Sequence, residues 1–190
     1  MSRWEPNTRE RLLDAALGLF GERGYDSVTV AEITDRAGLT KRTFFRHFTD
    51  KREVLFAGQE MLSRILADAI AAAPEAASPA AAVGGALAAA AAEFGPERRE
   101  RARRVQAVVA GQSDLRERGL LKRATLTAAM AGALRERGVP DPAATLAAEL
   151  GGLAFWTAFE RWTAPANERG FAELAAEALA ELIAATADLD

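Results

Sequence analysis

At 190 residues, 49% of them hydrophobic, the chain can build a small module plus one larger helical domain. The absence of cysteine excludes a disulfide framework, a thiolate nucleophile and a cysteine-ligated metal. A net charge of −3 argues against a uniform nucleic-acid-binding surface, so any such surface must be local.

The first helix is expected after Pro6-Asn7-Thr8, running to about Arg23 and burying Leu12, Leu13, Ala16, Leu17 and Phe20. Thr29 followed by Glu32 is a capping-box start for a second helix, in which Val30, Ile33 and Ala37 recur on one face. Gly38 sits where a helix ends in the left-handed region, and Thr40 can cap a third helix. Phe44 and Phe48, four apart, anchor that third helix to a core. Its first turn is basic and hydroxylic: Lys41, Arg42, Thr43. A short helix held from behind by aromatics, with such a first turn, is the geometry that fits a DNA major groove. Lys41, Arg42, Arg46, Lys51 and Arg52 have only Asp50 as a nearby acid, so an acidic body carries one basic edge.

The ordered run resembles the N-terminal domain of the TetR family of bacterial transcription regulators. It comprises Leu19-Phe20-Gly21-Glu22-Arg23-Gly24-Tyr25, Thr29-Val30-x-x-Ile33, Ala37-Gly38-Leu39-Thr40, then Thr43-Phe44-Phe45-Arg46-His47-Phe48 with Lys51. The likeness covers about Thr8 to Leu55. It implies a helix-turn-helix domain over residues 7–54 and a helical ligand-binding and dimerisation domain over 55–190, an all-α protein. It also implies that Lys41, Arg42 and Thr43 face bases while Thr29, Thr40, His47 and Lys51 hold phosphates. One position departs from the family pattern. Phe45 stands where the family commonly carries tyrosine, and without a hydroxyl it cannot make that residue's phosphate contact.

Asp50 and Glu53 form another capping pair, opening a fourth helix expected to continue past Ile65 towards Ala71. Pro74 to Pro79 breaks the chain, and an alanine-dominated helix follows over 80–93. The helix after Gly95-Pro96 begins Glu97-Arg-Arg-Glu-Arg-Ala-Arg-Arg104, with Glu97–Arg101 and Glu100–Arg104 in the favourable i,i+4 order. Arg98–Arg104 reads as a solvated helix face, with an anionic-ligand surface as the alternative. A long helix is expected from about Asp114 to Arg137, and Gly138-Val-Pro-Asp-Pro142 stops and restarts the chain.

Over 143–164, Leu146, Leu150, Leu153 and Thr157 share a narrow arc. Phe155, Phe159 and Trp162, with Gly151 and Gly152, fall roughly opposite. A soluble helix with two apolar faces must be buried twice, and periodicity does not say which face meets a second copy. Phe171, Leu174, Ala178 and Leu182 form a further stripe on the last helix, expected to reach Leu189. Two such helices meeting their copies would make a four-helix bundle, as TetR-like proteins do. The alternative is that both faces lie inside one subunit.

An enzyme has little to stand on. His47 is the only histidine, and neither a Gly-x-Ser-x-Gly elbow nor a phosphate-cradling Gly-x-x-x-x-Gly-Lys sequence is present. No metal site and no cofactor are expected. The first residues, Met-Ser-Arg-Trp-Glu-Pro, lack the apolar stretch of a secretory signal, and no apolar run spans a bilayer, so a cytoplasmic protein without a membrane partner is expected. The resemblance implies a small-molecule effector among the middle helices, with Phe94, Gln106, Met130, Phe155, Trp156 and Phe159 as candidate lining. The Phe-Glu-Arg-Trp162 segment also has the flavour of regulators with an acyl-CoA-like ligand domain, in which the arginines after Pro96 would meet ligand phosphates. The expected protein is therefore a homodimeric, ligand-responsive repressor of a palindromic double-stranded DNA operator. A helical scaffold that keeps the shape without reading DNA is the competing class.

Overall fold

The structure is a computed structural model and describes residues 8–187. Residue 7, at the start of the expected first domain, and residues 188 and 189, at the expected end of the last helix, lie outside the described residues. Ten α-helices and one 3-10 turn make up the secondary structure of the described residues. The described residues gather into two compact units, 8–58 with 101–119 and 59–100 with 120–187. A single division after residue 54 does not anticipate the inclusion of 101–119 in the first unit.

In the first unit α1 (Thr8–Arg23) buries Leu12, Ala16, Leu17 and Phe20, as its spacing predicts. Thr29 caps α2 (Val30–Ala37) in extended conformation. Its side chain accepts the Glu32 amide while the Glu32 carboxylate takes the Thr29 amide, so both halves of the capping box are formed. Gly38, at φ 64 and ψ 37, ends α2 in the left-handed region. The next amide, Leu39, returns to the Thr34 carbonyl at 2.8 Å, which satisfies an end carbonyl and redirects the chain into the turn. Thr40 caps α3 (Lys41–His47) by accepting the Thr43 amide at 3.1 Å.

Asp50 opens α4 (Lys51–Leu55) by accepting the Arg52 and Glu53 amides. The fourth helix expected to run on to Ala71 is in fact two. The Phe56 and Ala57 amides tighten onto the Glu53 and Val54 carbonyls, and Gly58 then takes φ +97, which no α-helix continues through. The helix resumes as α5 (Gln59–Ala71) in the second unit.

The end of α7 (Pro96–Ala110) and the start of α8 (Ser113–Glu136) complete the first unit. Leu115 is fully buried in the same core as Leu12, Phe20, Ile33, Phe44 and Phe48, with Val105, Val108 and Val109 packed against it. Arg101 grips Asp14 with two 2.9 Å hydrogen bonds, and Arg118 pairs with Glu53. Arg101 therefore finds its carboxylate 87 residues away in sequence rather than in Glu97, as i,i+4 spacing predicts.

The second unit is built from α5, α6 (Pro79–Ala90, ending in the 3-10 turn Ala91–Glu93), the remainder of α7 and α8, α9 (Asp141–Thr163) and α10 (Phe171–Ala187). Ser78 caps α6 and Pro79 fills its first turn. Here α9 packs on α10 and on α6. A Cβ on Gly151 would come within 2.5 Å of the Val83 side chain, and one on Gly152 within 2.5 Å of the Thr127 hydroxyl. Those two glycines admit the neighbouring helices, which explains their place on the buried face of α9.

The two apolar faces of α9 now separate. Phe155 and Trp162 are buried in the unit's own core, whereas Leu146 and Leu153 remain 56% and 53% exposed, with Leu150 and Thr157 half-buried. The stripe on α10 requires correction. Phe171, Leu174 and Ala178 are buried inside the unit and present no face to a second copy, while Leu182 is half-buried. Phe171 is drawn inward because its ring stacks on Phe94 at 4.2 Å and meets Trp162 edge-on.

Candidate nucleic-acid interface

The helix α3 divides cleanly by environment. Phe44 is wholly buried, with its ring 5.4 Å from that of Phe48, itself buried at the helix's C-cap, and Thr43 and His47 are half-buried. Lys41, Arg42, Phe45 and Arg46 stand exposed on the opposite side. The basic side chains elsewhere around the turn are committed. Arg36 holds Glu22 through two 2.6 Å bonds, Arg23 holds Glu32 at 2.7 Å and Arg52 holds Asp50 at 2.7 Å. Lys41, Arg42 and Arg46 take no ion-pair partner among the described residues and share one face of one helix, with the Arg9 guanidinium nearby, 5.3 Å from the centre of the Phe48 ring. Arg46 completes that face. It lies one turn beyond Arg42, a spacing that would have placed it there from sequence.

The hydroxyls expected on phosphates are largely engaged. Thr40 Oγ1 lies 3.0 Å from Thr43 Oγ1, and Thr29 Oγ1 donates to Glu32 at 2.8 Å. Hydrogen bonds from the Thr29 amide and hydroxyl, followed by one from Arg23, lower the Glu32 carboxyl to about 2. Because its folded value is depressed, Glu32 stabilises the cap above its ordinary 4.5, and this contribution disappears as pH falls towards 2. Thr29→Ala removes the hydroxyl donor but keeps the amide, so it should move the Glu32 titration part of the way back towards 4.5 in an NMR pH series; an unchanged midpoint would show that the hydroxyl does not contribute.

His47 is held below its ordinary value by burial first and then by the charges of Arg46 and Arg9, which favours its neutral form. Its Nε2 is buried without a hydrogen-bond partner. Phe45 is 57% exposed and braced edge-on against Phe44, 5.4 Å between centroids. Lys51, expected on a phosphate, instead turns into the domain. Its Nζ donates to the Tyr25 and Val28 carbonyls at 2.8 and 3.0 Å.

Of the effector-lining candidates, Phe94, Phe155 and Phe159 share an aromatic cluster with Trp162 and Phe171, and Trp156 meets Phe155 and Phe159 edge-on. Met130 is buried in the same unit. Gln106 falls in the other unit and so is not grouped with them. The Trp156 indole N–H is buried without an acceptor, and the Arg123 guanidinium lies 4.3 Å from the centroid of the Trp156 ring. The arginines after Pro96 serve internal partners. Arg98 holds Glu93, Arg99 donates to the Asn167 and Arg169 carbonyls, and Arg101 holds Asp14.

Comparison with known proteins agrees with this geometry. Residues 12–57 match the model of the bacterial regulatory proteins of the tetR family. The HTH-type transcriptional regulator TcmR of Streptomyces glaucescens is 35% identical over 82 residues, 43% of this chain and 36% of that protein. The chain thus spans about a third of the length of that curated relative. Among solved structures, the complex of SmeT, a Stenotrophomonas maltophilia repressor, with triclosan superposes with a TM-score of 0.62 at 22% identity, covering 95% of this chain and 91% of that one. Thermus thermophilus FadR, a TetR-family repressor solved with lauroyl-CoA, gives 0.54 at 23% identity, covering 92% and 93%. At such identities these structures speak for the fold. Residues 12–57 are thus similar to the N-terminal module of the tetR family of bacterial regulatory proteins. Among the described residues no helix is long and apolar enough to cross a membrane, and no cluster of His, Asp or Glu could hold a metal ion.

Proposed function

We propose that the protein is a repressor that binds an inverted-repeat operator as a homodimer, through α3 of each copy, and is released by a small-molecule effector. The observation that carries this reading is the unpaired cationic face of Lys41, Arg42 and Arg46 on a short helix whose reverse side is locked into the core. Residues at the start of such a helix reach base edges, and the aromatics behind it fix their aim. Arg42 reads bases together with Lys41 and Thr43, while Thr29, Thr40 and His47 flank the backbone contact. Phe45 supplies apolar contact rather than a phosphate bond.

Dimerisation is assigned to the exposed leucine ridge of α9, Leu146 and Leu153 with the half-buried Leu150 and Thr157, and to the end of α10 about Leu182. The effector site is assigned to the second unit, beside Trp156, Phe159, Phe94, Phe155 and Met130. SmeT with triclosan and FadR with lauroyl-CoA support a ligand of substantial apolar area there. An acyl-CoA reading that relies on the α7 arginines loses its footing, because Arg98, Arg99 and Arg101 are held by groups of the protein itself.

Selection of bound fragments from randomised or genomic DNA by the purified protein tests the reading. An enriched inverted repeat is expected, with half-sites about 34–36 Å apart or at a multiple of that distance. Recovery of no repeat would overturn it. On the selected operator, Arg42→Ala should cost about 1–3 kcal/mol and relax preference at one position per half-site. Competition titrations with single-base variants would show this, and an unaltered preference at every position would remove Arg42 from base reading.

A further inference from the structure

Lys51 is the first residue of α4 and half-buried, and its ammonium group is surrounded by acceptors of its own domain. Nζ lies 2.8 Å from the Tyr25 carbonyl, 3.0 Å from that of Val28 and 3.4 Å from that of Asp26. It also sits 4.2 Å from the centre of the Tyr25 ring. An ammonium has three N–H donors, and here three carbonyls and a π face receive it. Burial first, then the charge of Asp114, raises the Tyr25 phenol to about 12, so the ring beneath the ammonium stays neutral at every working pH.

The carbonyls belong to the loop between α1 and α2, which delivers Thr29 to the start of α2. Lys51 lies beyond α3. The contact therefore closes a bracket around the helix-turn-helix: one end is the loop before α2, the other is the first residue after the α3–α4 turn. A lysine at the edge of a DNA-binding module is ordinarily read as a phosphate ligand. The geometry points elsewhere, and we infer that Lys51 is a positioning residue that fixes the entry of α2 against α4 and thereby the presentation of α3. This rests on the DNA-binding reading given above.

The test measures operator affinity of the full-length protein across a salt series, well below its unfolding temperature, for wild type, Lys51→Met and Lys51→Arg. Each phosphate contact contributes about one to the slope of log affinity against log salt. Loss of charge-assisted hydrogen bonds predicts affinity lower by about tenfold in Lys51→Met. The salt slope should equal that of wild type. Lys51→Arg should fail to restore affinity, because a planar guanidinium cannot aim three N–H groups at carbonyls converging above a ring. A slope shallower by about one, with recovery in Lys51→Arg, would make Lys51 a phosphate ligand and overturn the inference. So would an unchanged affinity in a folded Lys51→Met protein, which would leave the bracket without influence on recognition. Should Lys51→Met fail to fold, Lys51→Gln keeps N–H donors without charge: a wild-type slope is expected, and one shallower by about one would again overturn the inference. Failure of the wild-type protein to select any operator is a separate outcome, which removes the DNA-binding reading and with it this inference.

Discussion

Leu153→Glu, alone or with Leu146→Glu, is expected to give a monomer that keeps its helical signal and loses the operator. Both leucines are more than half exposed on α9, so in one chain a glutamate at either position stays hydrated and disturbs little. In the proposed dimer the same carboxylates would have to be desolvated without a partner, which opposes association. Separate copies then engage half-sites one at a time. The gain from linking two binding events, about 10²–10⁴-fold, is lost. Sedimentation at micromolar concentration and an operator titration measure the two effects together. A dimeric variant would place the interface elsewhere, and a monomeric variant with wild-type affinity would sever dimerisation from recognition.

Phe44→Ala should be the most destructive single change in the first unit. Its side chain is wholly buried, with Phe45 and Phe48 both at 5.4 Å between ring centroids. Truncating a buried phenylalanine removes transfer energy and leaves a cavity, together costing about 3–5 kcal/mol. That loss also releases α3 from the core, so operator binding should fall with stability. Phe45→Ala, one residue further on, forfeits little more than one edge-on ring contact, worth about 1 kcal/mol, because its ring is already 57% exposed. Urea unfolding of the two variants distinguishes the sites. Equal losses would mean that the buried and exposed sides of α3 have been assigned wrongly.

Much of the local structure around the candidate interface was legible because its determinants are local. Thr29 with Glu32, Gly38, Thr40 with Thr43 and the Phe44–Phe48 spacing each act within a turn or two, where residue type and backbone geometry are tightly linked. What escaped depends on atoms far apart in sequence or without a side-chain signature. The partners of Lys51 are backbone carbonyls 23 to 26 residues earlier, and no residue pattern marks a carbonyl as an acceptor. Arg101 reaches Asp14 across 87 residues, and periodicity alone directs it to Glu97. The stripe on α10 was visible, but its destination was not. Phe171 turns inward because Phe94, from the turn before α7, and Trp162, from α9, wait there. Nor did the capping pair Asp50–Glu53 reveal that its helix ends within two turns. That break depends on Gly58 adopting φ +97, which glycine permits without requiring.

The central claim is that α3 lies against DNA bases, and position 45 gives the most direct view of it. Phe45 is exposed, shares its face with Lys41, Arg42 and Arg46, and is braced from behind by Phe44. A photoreactive benzophenone side chain in place of Phe45, irradiated on the selected operator, should cross-link to bases within each half-site. The same group at Asp35, exposed on α2, should give far less cross-linking to bases. A protein that binds the operator fully yet cross-links no base from position 45 would contradict the assignment of α3 as the reading helix.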